Sequence, residues 1–232
     1  MRILVTRAQD DAERTARKLA ARGHETLLAP VLRIVPTGEP APAAPHDALI
    51  VTSAHAAASL SLLADRKSPV FAVGERTAKA VRAAGFPAVK VAEGDAVSLS
   101  HLVQASLKPG LTLLHVTARH HKDEPAASLR ASGYHVLQWD AYEAEAVPTL
   151  PACALKAIRT GQIGAALHYS RRSADLFIQR TEEAGLLSNL QGFLHLCLSA
   201  DVAAPLEAAG VSTLVAEGPS EDDLLGLLDQ PP

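Results

Sequence analysis

The sequence predicts an α/β protein built from two doubly wound parallel-sheet domains, one inserted in the other, and three observations carry that prediction. Short apolar runs rich in β-branched residues or leucine alternate with stretches of helical periodicity, as in sheets covered by helices on both faces. A strand–helix paragraph occurs twice: VFAVGERTAKAVRAAGFPAVKVAEG at 70–94 reappears as LHLCLSADVAAPLEAAGVSTLVAEG at 194–218, with Gly85 answering Gly210. The repeat is also cyclically displaced, because ALIVTS at 48–53 answers ALHYS at 166–170 while ILVTR at 3–7 answers LLHVTAR at 113–119. One copy therefore wraps around the other, and the cleft between two halves is the expected place for chemistry.

In chain order the strands fall near 2–7, 26–32, 48–52, 70–74, 88–92, 111–117, 134–140, 165–169, 193–198 and 212–216. The first helix puts Ala12, Ala16, Leu19 and Ala20 on one face, begins at Asp10 or Asp11, and stops at Gly23. Gly85, Gly133 and Gly210 repeat that stop. The last helix opens with Ser220 as cap and Asp223 at the third position of a capping box, and Leu224, Leu225, Leu227 and Leu228 follow as its buried stripe. The proline-rich stretch 36–45 reads as a linker, since proline sustains neither a helix interior nor a central strand. A second break falls at 147–151. These marks assign 1–35 and 148–232 to a discontinuous domain, 46–141 to the inserted one, and 36–45 and 142–147 to linkers, with five strands in each domain.

The 232 residues suffice for two small cores, and 48% hydrophobic composition is that of a globular protein. No apolar run approaches the roughly 20 residues of a helical membrane span, and Met1 and Arg2 lead directly into a strand pattern, so the expected location is cytoplasmic, with no membrane partner. A net charge of −3 lacks the basic face of a nucleic-acid binder. Cys153 and Cys197 stand far apart and read as small apolar residues. GxxxxGK[ST], GxGxxG and GxSxG are all missing, which removes the usual nucleotide cradles and the hydrolase elbow. His120 and His121 diverge on any regular element and have no further ligand at metal spacing, so no metal is expected. His115, His135, His168 and His195 fall in strands and read as hydrogen-bonded structural groups.

In an open parallel sheet, ligands bind outside the carboxyl ends of the strands. Those positions hold Thr6 and Arg7; Thr52, Ser53, Ala54 and His55; Gly74, Glu75, Arg76 and Thr77; Thr117, Ala118 and Arg119; Ser170, Arg171, Arg172 and Ser173; and Ser199 with Ala200. They are small, hydroxylic or cationic, and with the amides of the following helix starts they suit a polyanionic ligand. Serine and threonine at such places also cap helices, and that reading stands beside the first. His55 opens a helix beside the expected cleft and is of a residue type that titrates near neutrality. Tyr142, after the strand HVLQWD, either reaches the cleft or packs half-buried.

ILVTRAQDDAERTARKLAARGHETLLAPVLRI, ALIVTSAHA, VFAVGERTAKAVRAAGF and the late tyrosine of WDAYEAE, in that order, resemble the uroporphyrinogen-III synthase family over nearly the whole chain. The resemblance implies two flavodoxin-like domains joined by a two-segment connector, with the active site in the cleft between them. It implies a cofactor-free lyase of heme and tetrapyrrole biosynthesis that expels the terminal hydroxyl of hydroxymethylbilane as water. A spiro intermediate then inverts ring D, and the macrocycle closes to uroporphyrinogen III. A monomer is expected, supplied by the upstream hydroxymethylbilane synthase. Tyr142 matches the tyrosine that assists departure of the hydroxyl. Thr52, Ser53 and Ala54 match the binding turn of one domain, and Ser170 that of the other. Ser170 to Arg172 and Ser199 to Ala203 depart from the family's usual Ser-Pro-Ser and glycine–threonine patterns, although arginines there suit a ligand with eight carboxylates. The alternative reading is a non-catalytic two-lobed cytosolic sensor resembling periplasmic-binding-protein regulators, which gives no reason for LVTR and TSAHA. A response-regulator receiver fits less well, since no phospho-acceptor aspartate follows the third strand.

Overall fold

Short apolar runs at 3–5, 48–51, 70–72 and 165–167 lie in strands of the computed structural model, which describes residues 1–229. In chain order the first elements are β1 (Arg2–Val5), α1 (Gln9–Ala21), β2 (Glu25–Leu28), β3 (Leu32–Pro36), β4 (Ala48–Val51), α2 (Ala57–Leu60), β5 (Val70–Ala72) and α3 (Glu75–Ala83). There follow β6 (Val89–Val91), α4 (Ala96–Ser106), β7 (Thr112–Ala118), α5 (Ala126–Ala131) and β8 (His135–Ala146). The last are α6 (Ala152–Arg159), β9 (Ala165–His168), α7 (Arg171–Glu183), β10 (Leu194–Cys197), α8 (Ala200–Ala208), β11 (Thr213–Val215) and α9 (Glu221–Gly226). The chain divides into two units, Met1–Arg33 with Glu145–Pro232, and Ile34–Ala144.

The first unit carries a five-stranded sheet in the order β11-β10-β9-β1-β2, parallel throughout. Its strands bury both faces. Ile3 and Val5 pack with Ala12, Leu19 and Leu225 on one side, and Leu4 packs with Ile158, Phe177 and Leu206 on the other. Each of the larger of these side chains contributes about 1.5–3 kcal/mol on burial. The second unit carries the order β3-β8-β7-β4-β5-β6, and β4 through β8 run parallel. Alternation again serves two cores: Leu49 and Val51 meet Leu60, Val81 and Phe86, while Ala48 and Ile50 meet Phe71, Leu99 and Leu129. The expected α/β class with two parallel sheets is what the chain forms.

Some details differ from the sequence reading. The described residues form eleven strands, five in one sheet and six in the other, because the strand expected at 26–32 ends at Leu28 and a further strand, β3, runs from Leu32 to Pro36. Pro30 has no N–H to give, and the flanking amides of Ala29 and Val31 turn to the carbonyls of Val5 and Thr6. The segment 142–147, expected as a linker, is strand through Ala146. Thr37 N–H donates to Ala141 O and Val147 N–H to Val31 O, so β3 lies antiparallel to β8, and both polypeptide crossings carry strand. The first helix starts at Gln9 with no side-chain cap, and Asp10 and Asp11 occupy its first turn, where the helix dipole favours them.

The repeat glycines behave as their pairing suggests. Gly85 and Gly210 adopt φ of 93° and 75° just past α3 and α8, a left-handed conformation that a side chain would strain. The capping box is also present: Ser220 Oγ accepts from Asp223 N–H while the Asp223 carboxylate accepts from Ser220 N–H.

Candidate functional site

In the second unit the central strand β4 is wholly buried and delivers Thr52 and Ser53 to its carboxyl end. Ser53 is extended, and its Oγ accepts the N–H of His55 at 3.2 Å, which starts a short 3-10 turn at Ala54–Ala56 ahead of α2. Thr52 Oγ1 lies 3.4 Å from His115 Nε2 on β7. Burial pushes the His115 imidazole down to about 4, helped by nearby His121 and Arg130, so it is neutral near pH 7.

Tyr142 reaches the same place through a break in strand register. Thr117 pairs with Asp140 but Ala118 pairs with Tyr142, so Ala141 is the extra residue of a β-bulge. Simple alternation would send neighbours 141 and 142 to opposite faces. The bulge brings Trp139, Ala141 and Tyr142 into one core cluster instead. The Tyr142 side chain hydrogen-bonds that of Ser53, and its ring centroid lies 6.3 Å from that of His55. Burial pushes the phenol pKa up, and the bond to Ser53 partly opposes it. Ser59 Oγ donates to Ala141 O at 3.1 Å and ties α2 to the bulge.

The other expected residues of this unit are placed less uniformly. Gly74 is the extended residue before α3, and a Cβ there would lie 3.4 Å from Gly94 Cα, so the turns after β5 and β6 approach closely. Arg76 is exposed in the first turn of α3. Thr117 is a correction: β7 runs on to Ala118, and at 2% exposure Thr117 has no surface to offer a ligand. Arg119 donates to Glu143 at 2.9 Å and to Glu39 at 3.0 Å, so its charge already has two carboxylate partners.

In the first unit Ser170 caps α7, its Oγ accepting Ser173 N–H at 3.2 Å. Arg171 pairs with Asp201 at 3.0 Å, Arg172 is exposed, and Ser199 precedes α8 without a side-chain cap. Arg7 belongs to an internal network. It donates to Glu221 at 2.9 Å, lies 3.5 Å from Asp11, and stacks 4.1 Å from the Tyr169 ring centroid. Glu221 also accepts from Tyr169, Thr15 and Lys18. Burial works against its charge, but those hydrogen bonds hold its carboxyl down at about 2. Arg7, read from sequence as a ligand for substrate carboxylates, is thus half of a structural ion pair. Nothing in the sequence marks Tyr169 and Glu221 as partners of Arg7, although one directly follows β9 and the other opens a capped helix.

A cavity of about 690 Å³ in this unit is lined by Met1, Gly164, Leu194 and Thr213, at the amino ends of its strands. That is the opposite edge from the one where such sheets bind ligands. Of the strand histidines, His115, His168 and His195 are buried with polar partners, while His135 is exposed. Among the described residues no group of three or more His, Cys, Asp or Glu side chains is placed to hold a metal ion, and no helix is long and apolar enough to cross a membrane.

The family model described as uroporphyrinogen-III synthase HemD matches residues 13–226. Among solved structures, uroporphyrinogen-III synthetase from Helicobacter pylori is 20% identical, with a TM-score of 0.65 and 98% of each chain covered. A mutant uroporphyrinogen III synthase from Thermus thermophilus is 18% identical, with a TM-score of 0.50, covering 99% of this chain and 96% of that one. At such identities the structural likeness concerns the fold. A search of curated proteins gave no match.

Proposed function

This chain belongs to the uroporphyrinogen-III synthase family, and from that premise we propose that its reacting centre is the Tyr142–Ser53 pair. The activity is that of a cyclising hydro-lyase of tetrapyrrole biosynthesis: hydroxymethylbilane loses its terminal hydroxyl as water and closes to uroporphyrinogen III with ring D inverted. The two-lobed sensor gains no support from the family match.

The observation that carries the site is the phenol of Tyr142, bulged out of strand alternation onto the hydroxyl of Ser53. A bulge is an irregularity that re-aims one side chain, and here the side chain re-aimed is the family's late tyrosine. In this reading the phenol donates a hydrogen bond to the departing hydroxyl, and Ser53 fixes the phenol's direction. Thr52, Ala54, Gly74 and Arg76 supply the turn surfaces around it. Ser170, Arg171, Arg172 and Ser199 offer the same kind of donor in the first unit, where amides at the starts of α7 and α8 suit carboxylates. Arg119 takes part by exchanging Glu39 or Glu143 for a substrate carboxylate, and Arg7 takes no direct part. The substrate otherwise closes unaided to the type I isomer, so catalysis here is mostly control of geometry. We further propose that the protein works as a cytoplasmic monomer supplied by hydroxymethylbilane synthase.

The test is to give the purified chain hydroxymethylbilane without metal or nucleotide, oxidise the products and separate the porphyrin isomers. The expected product is mainly type III. A type I fraction equal to that of an enzyme-free control overturns the assignment.

A further inference from the structure

Loss of the hydroxyl needs a proton, and burial makes the Tyr142 phenol a poorer acid than an exposed one. A second group converges on the same atom. Ser53 Oγ accepts the N–H of residue 55 and bonds the Tyr142 side chain, so the His55 backbone and the phenol share one hub. The two rings sit 6.3 Å apart and tilted at 55°, a spacing that admits one substrate hydroxyl within hydrogen-bond reach of both.

We propose that His55 is a further catalytic residue, the proton carrier of the reaction, with Tyr142 orienting the hydroxyl to which His55 gives its proton. The inference rests on the reading that Tyr142 and Ser53 lie at the reacting end of the substrate. The carbon–oxygen bond of the hydroxymethyl group breaks, and oxygen leaves with the bond pair and the imidazolium proton as water. The pyrrole nitrogen's lone pair fills the carbon left behind. When a ring carbon's π pair later forms the closing carbon–carbon bond, that carbon releases its proton to the neutral imidazole. One water is lost, and the imidazolium is restored.

The elements packed against the 54–56 turn are α2, α3 and β7, and β8 approaches through Tyr142. Their charged or titratable side chains are Glu75, Arg76, Lys79 and Arg82 of α3, His115 of β7, and His135, Asp140, Tyr142, Glu143 and Glu145 of β8; α2 has none. Glu75 is paired with Arg82 at 3.1 Å. His115 is held neutral by burial, at about 4. Of the imidazoles here, His115 lies in the core and His135 at the exposed amino end of β8, which leaves His55 as the one beside Tyr142, and imidazole is the side-chain type suited to carrying a proton near neutral pH.

The experiment measures kcat and KM for type III formation from pH 6 to 9 in the wild type, His55→Gln, His55→Ala and Tyr142→Phe, with enzyme-free closure subtracted and melts recorded. Type III formation by the wild type establishes the underlying reading independently. The wild-type kcat should fall on the alkaline side. His55→Gln should lose that limb and about 10²-fold in kcat at pH 7 with little change in KM. Added imidazole should restore His55→Ala in proportion to its protonated fraction, and Tyr142→Phe should keep the limb. A folded His55→Gln that retains the wild-type profile overturns the proposal. So does a Tyr142→Phe variant that alone loses the limb. If His55→Gln melts early, failure of imidazole to rescue His55→Ala decides against it.

Discussion

Tyr142, within β8, and Tyr169, just past β9, are phenols of the two units, each raised in pKa by burial, yet they are put to different uses. Tyr169 donates to Glu221 at 3.0 Å, neighbours Thr15 at 3.4 Å and lies under the Arg7 guanidinium, so carboxylate, cation and phenol satisfy one another. Tyr142 bonds a neutral serine hydroxyl and sits beside an imidazole. The first arrangement is locked by full charges at short range. The second is held by one weak neutral bond that a substrate hydroxyl can share without breaking an ion pair. Exposure alone does not separate the two; the charge of the partner does.

The largest expected difference between the units is in their response to acid. His168 and His195 are stacked in the first core, with His168 Nε2 3.1 Å from His195 Nδ1 and His195 Nε2 3.0 Å from Leu190 O. Burial pushes His195 down to about 4, and burial and its stacked partner push His168 well below the usual imidazole value. The second core holds one such group, His115, also at about 4. Each is neutral in the native state and protonated when unfolded at pH 5, so the unfolded chain binds more protons and stability falls as pH drops from about 6.5 towards 4. One group gives a slope of about 1.4 kcal/mol per pH unit and two give about 2.7. Hydrogen exchange at pH 7, 6 and 5 should therefore show β9 and β10 losing protection about twice as steeply, in free energy, as β4 and β7. Equal slopes would remove the contrast.

Next in size is the paired removal of the two hydroxyls. Tyr142→Phe should cut type III formation by about 10²-fold, the scale of losing one preorganised donor, while the melt barely moves. Tyr169→Phe should do the reverse, leaving Glu221 one donor short and costing about 1–2 kcal/mol of stability with little loss of rate. Rates and melts of both variants check this. A fully active Tyr142→Phe would leave positioning of the substrate's ends as the main source of catalysis.

The sequence carried what local chemistry determines. The strand–helix alternation, the glycine stops at 85 and 210, and the capping box at Ser220 and Asp223 depend on neighbours a few residues away, and the chain forms them. The split at Pro30 was legible in principle, since a missing donor breaks a ladder wherever it falls. The bulge at Ala141 was not, because its register is set by β7, over twenty residues earlier. The partners of the arginines were not legible for the same reason. Arg7, Arg119 and Arg171 stand near strand ends in the sequence, and only folding brings Glu221, Glu39 and Asp201 to them. Thr117 was assigned to a turn that strand pairing turned into sheet interior. Residue type at a strand end suggests an anion site, but tertiary ion pairs decide which cations remain for it.

The smallest effect sharpens the comparison most finely, because Ser53 and Ser170 do the same local job. Each is extended and caps the following turn through Oγ, one accepting from His55 N–H and the other from Ser173 N–H, both at 3.2 Å. Losing either cap to alanine should cost about 1 kcal/mol. The difference lies in the second partner. Ser170 Oγ meets another hydroxyl, Ser173 Oγ at 2.7 Å, whereas Ser53 also holds the Tyr142 phenol. If substrate carboxylates are held mainly by backbone amides, Ser170→Ala should leave kcat nearly unchanged. Ser53→Ala should lower kcat by up to about tenfold, roughly 1.4 kcal/mol, because an undirected phenol loses its preorganisation. That is less than the loss in Tyr142→Phe, since the phenol itself survives. Equal melts with unequal rates are the expected pattern, read from thermal unfolding beside initial rates of type III formation. Equal rates would mean that Ser53 is only a cap and that the direction of the Tyr142 phenol is fixed by the bulge alone.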